Sequence, residues 1–398
     1  MRLSFHHSFF IASLAFMLVF ATSGAPISLF NTYRLENGLS NSDLGFVSLG
    51  YFIAAAIALL MFGRLSNFIG RKPMAILALL CVIASSLLLT QMHSTPVLFV
   101  ARVLQGLACG IATSSIGAYV VDLSEGKPGW LVAAVTSTSP MIGISSGAIT
   151  SGALVSWGPW PRVLIFIMLF SVLLVCLLLV ILSPETIKRK PRGFSALKPS
   201  LYLPRERLWA FLIMACCVIA TWSLGAFYQA FGPSIVAEQL GTRSAIVSAL
   251  AFSSVMILTP LGGYITSNMS SAIAVRLGMG LYIVAATLIL LALEQGWLLL
   301  FFTASLLVGV AQGIATTACL KVLLQDTDIE YRAGLLSTVF VVSYSGAVFP
   351  GMVASVAATS FSVFEICVGY VVLGIITASI AIGASSKIRL TPNASVNY

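Results

Sequence analysis

Leu104-Gln105-Gly106-Leu107-Ala108-Cys109-Gly110-Ile111-Ala112-Thr113-Ser114 recurs as Leu307-Val308-Gly309-Val310-Ala311-Gln312-Gly313-Ile314-Ala315-Thr316-Thr317, and that pair decides the fold. Both glycines and the Ile-Ala-Thr triplet match at one offset of 203 residues, close to half of the 398-residue chain. The turns that follow agree as well, since Glu125-Gly126-Lys127-Pro128-Gly129 is echoed by Glu330-Tyr331-Arg332-Ala333-Gly334. One short match between Gly/Ala-rich stretches carries little weight. Two, at equivalent places along the chain, identify an internal duplication.

The duplicated segments sit in an apolar chain. Apolar residues make up 59% and charged residues 8%, where a soluble domain carries about a quarter charged residues. Mean hydropathy is +1.04. Each bilayer crossing takes roughly 20 mostly apolar residues, so the length holds about a dozen crossings and no separate catalytic domain. Hydropathy and charged punctuation predict spans at 8–32, 43–63, 74–92, 96–121, 130–155, 162–183, 207–233, 244–266, 272–293, 297–324, 333–358 and 363–385. The first run exceeds the roughly 7 to 15 residues of a signal-peptide core, so it reads as a retained span. The expected fold is an all-α membrane protein of twelve transmembrane helices in two pseudo-symmetric six-helix bundles. These bundles cover 1–183 and 207–398, the second ending in a short cytoplasmic tail, with a basic cytoplasmic linker at 184–206.

The net charge of +9 forms no stripe of the kind that binds nucleic acid. The bases collect in short connections, sixteen on the side of the termini against Arg34, Arg162 and Arg243 opposite. Basic residues stay in the cytoplasm, so both termini are expected there, in a bacterial-type inner membrane. Lys188-Arg189-Lys190-Pro191-Arg192 reads as a linker lying on an anionic leaflet. All seven cysteines lie within apolar segments and read as buried hydrophobes, without metal spacing. His6, His7 and His93 fall at span ends, and no nucleotide-binding loop is present. The expectation is a monomer with no metal and no cofactor, whose partners are the lipid bilayer and a small-molecule solute.

Gly63-Arg64-Leu65-Ser66-Asn67-Phe68-Ile69-Gly70-Arg71-Lys72-Pro73 lies between spans 2 and 3. It resembles the signature of the major facilitator superfamily, matching at Gly63, Leu65, Gly70, Arg71 and Lys72. The resemblance implies two bundles rocking about a central site near the membrane midplane. It also implies an inner gate that includes Gly63, Asn67, Gly70, Arg71 and Lys72, together with Asp122, Glu125 and Arg332. Asn67 stands where the family usually has Asp and cannot form an ion pair. Arg71 with Asp122 is therefore the expected surviving pair.

Arg102-Val103-Leu104-Gln105-Gly106 resembles a further element of that family and carries the only charge well inside a predicted span. An intramembrane charge marks a functional site by default. Arg102, Gln105, Cys109 and Thr113 form one helical stripe, matched on span 10 by Ser305, Val308, Gln312 and Thr316. The two stripes are expected to line opposite walls of a central cavity. Trp222, Tyr228 and Gln229 on span 7 and Phe20 on span 1 complete the predicted solute-binding set, an aromatic pocket with a few hydrogen-bonding groups. Ser139-Pro140-Met141-Ile142-Gly143, followed by Gly147, partly matches the family's antiporter element, and its departures assign Pro140, Gly143 and Gly147 to helix packing. Ser183-Pro184-Glu185-Thr186 resembles the close of the first half in the drug:proton antiporter and sugar-efflux branch.

That resemblance implies a proton-coupled exporter of a drug, sugar or metabolite. Such coupling needs a group that gains and loses a proton in the pathway. The candidates are Asp43, Asp122 and Glu365, all near span ends. Two readings compete: an uncoupled or exchange carrier, or importer, of an organic anion attracted to Arg102, and a non-transporting sensor on the same scaffold.

Overall fold

In the computed structural model the described residues are 3–62, 65–187, 201–203, 207–266, 269–325, 327 and 329–387. Gly63 and most of the expected linker, 188–200 and 204–206, lie outside them. Among the described residues the chain forms helices and turns with no strand. Twelve helices are long and apolar enough to cross a membrane: α1 Phe5–Asn37, α2 Asn41–Phe62, α3 Arg71–Thr90, α4 Thr95–Asp122, α5 Leu131–Trp157, α6 Leu164–Leu182, α7 Leu208–Gln239, α8 Ala245–Ile265, α9 Ser271–Gln295, α10 Leu298–Leu324, α11 Gly334–Ala357 and α12 Val363–Lys387. Each coincides with a predicted span. An even number of crossings leaves Phe5 and Lys387 on one side, called here the terminus face; the other is the far face.

The helix ends are written locally. Ser362 and Glu365 form a reciprocal capping box at the start of α12, and Ser40 with Asp43 does the same before α2. Helices α1 and α7 both stop at a left-handed glycine, Gly38 at φ 70° and Gly241 at φ 66°, positions separated by the repeat offset of 203.

The duplication also governs packing. Helix α1 packs on α5 and α6, α2 on α4, and α3 on α4 and α6; adding six to each number gives the contacts of the second bundle. The repeated glycines make these approaches. A Cβ at Gly106 would stand 2.2 Å from the Tyr51 carbonyl oxygen, and one at Gly110 2.4 Å from that of Ala55, so α4 rides on bare α2 backbone. Their counterparts Gly309 and Gly313 press α10 on α8, with a Cβ 3.0 Å from the Val255 oxygen and 2.0 Å from that of Thr259. Lipid supplies little hydrophobic drive between helices, so close backbone contact does the work. Gly143 and Gly147 bring α5 against α1 in the same way, at Met17 and Ala21, while Pro140 lies within α5, one turn before Gly143.

Between the bundles α2 meets α11 and α5 meets α8, again a symmetric pair. Midway along the second pair Ser253 Oγ donates to the Ser145 carbonyl at 3.4 Å, and further polar contacts between the bundles gather at the far face. Ser42 Oγ donates to the Ser355 carbonyl at 2.7 Å, Ser234 Oγ to Asn41 Oδ1 at 2.8 Å, and Arg34 pairs with Glu238 at 3.1 Å. Every residue of α1 from Leu18 to Asn31, and of α7 from Ala226 to Val236, is buried. Towards the terminus face Cys216, Ile219 and Trp222 of α7 are only half-buried. The molecule is sealed at its far face.

Candidate functional site

Pro26 organises the centre of the first bundle. It has no N–H to give the Thr22 carbonyl four residues back, and residues Ala25–Leu29 tighten into a 3₁₀ turn, whose three-residue bonding leaves the Ser23 carbonyl without a donor as well. Two freed carbonyls inside a membrane must find other donors. Arg102 Nη1 donates to Ser23 O at 2.7 Å and Gln105 Nε2 to Thr22 O at 2.9 Å, both from α4. Arg102 Nη1 also donates to Gln105 Oε1 at 2.8 Å, and the Ser23 hydroxyl lies 3.0 Å from Cys109 Sγ.

Arg102 is fully buried. Its guanidinium lies 4.4 Å from the ring centre of Tyr51 and 6.0 Å from that of Phe30. Neither Nε nor Nη2 has a hydrogen-bond partner. The described ion pairs are Arg34–Glu238, Arg71–Asp122 and Arg162–Glu36, so among the described residues no carboxylate neutralises Arg102. A buried unpaired cation costs several kcal/mol.

The stripe therefore differs from its sequence reading. Arg102, Gln105 and Cys109 turn to α1 and α2 within their own bundle, because the Pro26 break draws the polar groups there. Thr113 is half-buried, at the start of a π-helical turn that spans Ala112–Ile116 of α4; its hydroxyl returns to the Cys109 carbonyl. Single π turns inside α-helices recur at functional sites, and the matching stretch of α10 is plain α-helix. The second bundle solves the same space differently. Ser305, the counterpart of Arg102, is bonded to Tyr228 at 2.6 Å, and Tyr228 stacks on Phe301 at 5.7 Å. A neutral phenol fills the place of the guanidinium, so only the first bundle carries charge there.

Aromatic rings connect the two bundles. Tyr51 meets Phe52 edge-on at 5.3 Å, Phe52 lies 6.5 Å from Tyr344 of α11, and Tyr344 meets Trp222 of α7 at 5.2 Å. This bridge stands where α7 passes from fully to half buried. Among the expected binding residues, Arg102 and Trp222 occupy its ends. Gln229 is buried nearer the far face with Nε2 unpartnered. Phe20 packs on Phe16 beside α5, and Gln312 and Thr316 are half-buried on α10. Tyr51, Phe52, Tyr344, Ser23 and Pro26 were missed by the sequence reading. Pro26, two residues after a Ser-Gly pair in an apolar run, was the available signal.

At the terminus face Arg71 Nε pairs with Asp122 at 3.0 Å, and Nη1 donates to Ser66 Oγ at 2.6 Å. Glu185 accepts the backbone N–H groups of Arg71 at 2.9 Å and Lys72 at 3.2 Å, capping α3, while Lys72 Nζ reaches the Ser183 carbonyl at 3.0 Å. Apart from Glu185, at the start of the linker, these groups belong to the first bundle, so the network ties that bundle to itself and to the linker and reaches no group of the second bundle. Glu125 and Asn67 are exposed, and Arg332 donates to Thr327 O at 2.9 Å. The expected gate is thus divided: Gly70, Arg71, Lys72 and Asp122 come together, and Glu125, Asn67 and Arg332 do not join them. Gly70 adopts φ 116°, and a Cβ there would sit 2.3 Å from Glu185 Oε2. Gly70→Ala is expected to cost on the order of 2–3 kcal/mol, measurable as a lower unfolding midpoint.

The proton-coupling candidates lie at helix ends. Asp43 accepts from Ser40 N–H and hydroxyl at 2.8 and 2.6 Å, Glu365 accepts both Ser362 donors at 2.8 Å, and Asp122 holds Arg71. Carboxylates suit the first turn of a helix, which accounts for Asp43 and Glu365 without reference to protons.

Comparison with known proteins agrees with this architecture. Two solved structures superpose over almost the whole chain. These are the nucleoside transporter NupG, with TM-score 0.75, 11% identity and coverage of 95% of this chain and 99% of that one, and a bacterial homologue of the human lysosomal transporter Spinster, with TM-score 0.71, 17% identity and coverage of 97% and 98%. An uncharacterized transporter of Rickettsia felis is 27% identical over 58% of this chain and 56% of its own length. Multidrug resistance protein MdtL of Klebsiella pneumoniae is 31% identical over 26% of each chain. The alignments therefore span about half or less of these relatives. The profile of the Major Facilitator Superfamily matches residues 11–352. The chain belongs to the Major Facilitator Superfamily and is an integral, multi-pass membrane protein.

Proposed function

We propose that this transporter carries a small organic solute with an aromatic surface and an anionic or carbonyl-rich group, by alternating exposure of the Arg102–Trp222 region to the two faces. The observation that carries this reading is Arg102, buried with two unpartnered nitrogens and no carboxylate against it. An acceptor-bearing ligand would offset its burial cost, while the rings of Tyr51, Phe52, Tyr344 and Trp222 suit an apolar body. Termini in the cytoplasm follow from the basic bias of that face, and the far-face seal then lies on the opposite, outer side. Export is the direction proposed, because relatives such as MdtL and the quinolone resistance protein NorA of Staphylococcus aureus are named for drug resistance.

The test begins with a thermal-shift screen of aromatic acids beside their neutral amides on purified protein. Acids are expected to stabilise it, and flux of the best one in proteoliposomes should be saturable. Stabilisation by amides alone would overturn the reading.

Proton-linked antiport is the second reading, favoured by the drug-resistance relatives. Its test is flux under an imposed pH gradient. With the carboxylates occupied at helix ends, Asp43→Asn, Asp122→Asn and Glu365→Gln are each expected to alter gradient-dependent flux by less than about twofold. Collapse of gradient-dependent flux in any one of them would establish the proton-linked reading instead.

A further inference from the structure

A charged cavity lies at the far face, between the ends of α1 and α7, with a volume of about 340 Å³. It is lined by Asn31, Arg34, Leu35, Leu39, Glu238 and Arg243, among others. Two cations face one anion there. Arg34 is held by Glu238 through a single contact at 3.1 Å, and Glu238 also accepts from Asn41 Nδ2 at 3.4 Å. Arg243 is exposed, and among the described residues it has neither ion pair nor hydrogen bond. Leu35 and Leu39 add an apolar wall.

We infer that this cavity binds a small organic carboxylate between Arg34 and Arg243, and that the bound carboxylate competes with Glu238 for Arg34. This rests on the reading of the chain as a carrier of acceptor-bearing solutes. Guanidinium groups favour carboxylates in paired geometry, and one positive charge remains uncompensated without a ligand. Arg34–Glu238 is also a tie between the two bundles. A ligand that takes Arg34 therefore weakens the far-face seal, and by linkage an opened seal binds the ligand more tightly. The site would act as a vestibule, where solute arriving at or leaving the far face helps to open it.

The experiment uses benzoate as probe and benzamide as its uncharged match, with full-length protein in nanodiscs. Arg102→Met removes the charge of the central site, so that any remaining benzoate binding is separable from it. In that background benzoate is expected to bind and benzamide not to bind. Adding Arg243→Gln, at an exposed position, should weaken benzoate about tenfold. A cysteine replacing the buried Ser234, whose hydroxyl bonds Asn41 at the seal, should be labelled by a maleimide several-fold faster with benzoate present. The inference is overturned if Arg102→Met abolishes all benzoate binding, if Arg243→Gln leaves affinity unchanged, or if labelling of Ser234→Cys ignores benzoate. Failure of the central reading would appear separately, as benzoate affinity and flux that do not depend on Arg102.

Discussion

Arg102→Met is expected to reduce solute flux to background while changing the stability of the folded protein by no more than about 2 kcal/mol. Two effects of similar size oppose each other in stability. Losing the guanidinium strands the Ser23 carbonyl, at about 1–3 kcal/mol for a buried group without its partner. It also removes a desolvated cation that costs several kcal/mol in the absence of a counter-ion. Nothing comparable compensates in binding, since the free Nε and Nη2 have no substitute on neighbouring helices. Arg102→Lys should recover less than a tenth of the flux, because an ammonium lacks the planar fork. The measurements are proteoliposome uptake and the thermal midpoint, taken on the same preparation. If Arg102 served only to brace Pro26, the outcome would reverse, with a large loss of stability and flux falling only in proportion to folded protein.

The second large effect lies in the glycines. Gly147→Ala places a methyl 1.9 Å from the Ala21 oxygen, and Gly313→Ala places one 2.0 Å from the Thr259 oxygen. Both oxygens belong to helix backbone, so relief requires α5 to move off α1, or α10 off α8. Overpacking of this kind costs about 3 kcal/mol or more, and monodisperse yield should fall sharply in both variants. Gly225→Ala is the control, since no atom lies within 4 Å of a Cβ there, and it should behave as wild type. Equal tolerance of all three would mean that the helices are not packed through these glycines.

Much of the fold was legible because the bilayer imposes a coarse rule. Any segment that crosses must satisfy its own backbone, so apolar length announces the twelve helices. Identical packing demands in two related halves left identical glycines at Gly106 and Gly309, and at Gly110 and Gly313. The facing of each helix was much less legible. In a soluble helix the polar side marks water, but here lipid and protein interior are both apolar, and periodicity distinguishes them weakly. That is why Tyr51 and Tyr344 passed unnoticed. It is also why the stripe of Arg102, Gln105 and Cys109 was assigned to a cavity wall and not to α1.

The sequence by itself determined the number of spans, the duplication, the helix-packing glycines and the isolation of one charge among apolar residues. These are local or periodic properties, readable without knowing what touches what. Only the tertiary structure decided that Pro26 delivers two carbonyls to Arg102 and Gln105, that Tyr228 takes the place of the guanidinium in the second bundle, and that Arg34 meets Glu238 across the far face. Those partners lie from about 80 to 204 residues apart in the chain. Their meeting depends on which faces the packed helices present to one another, and that is set by side-chain fit over the whole bundle.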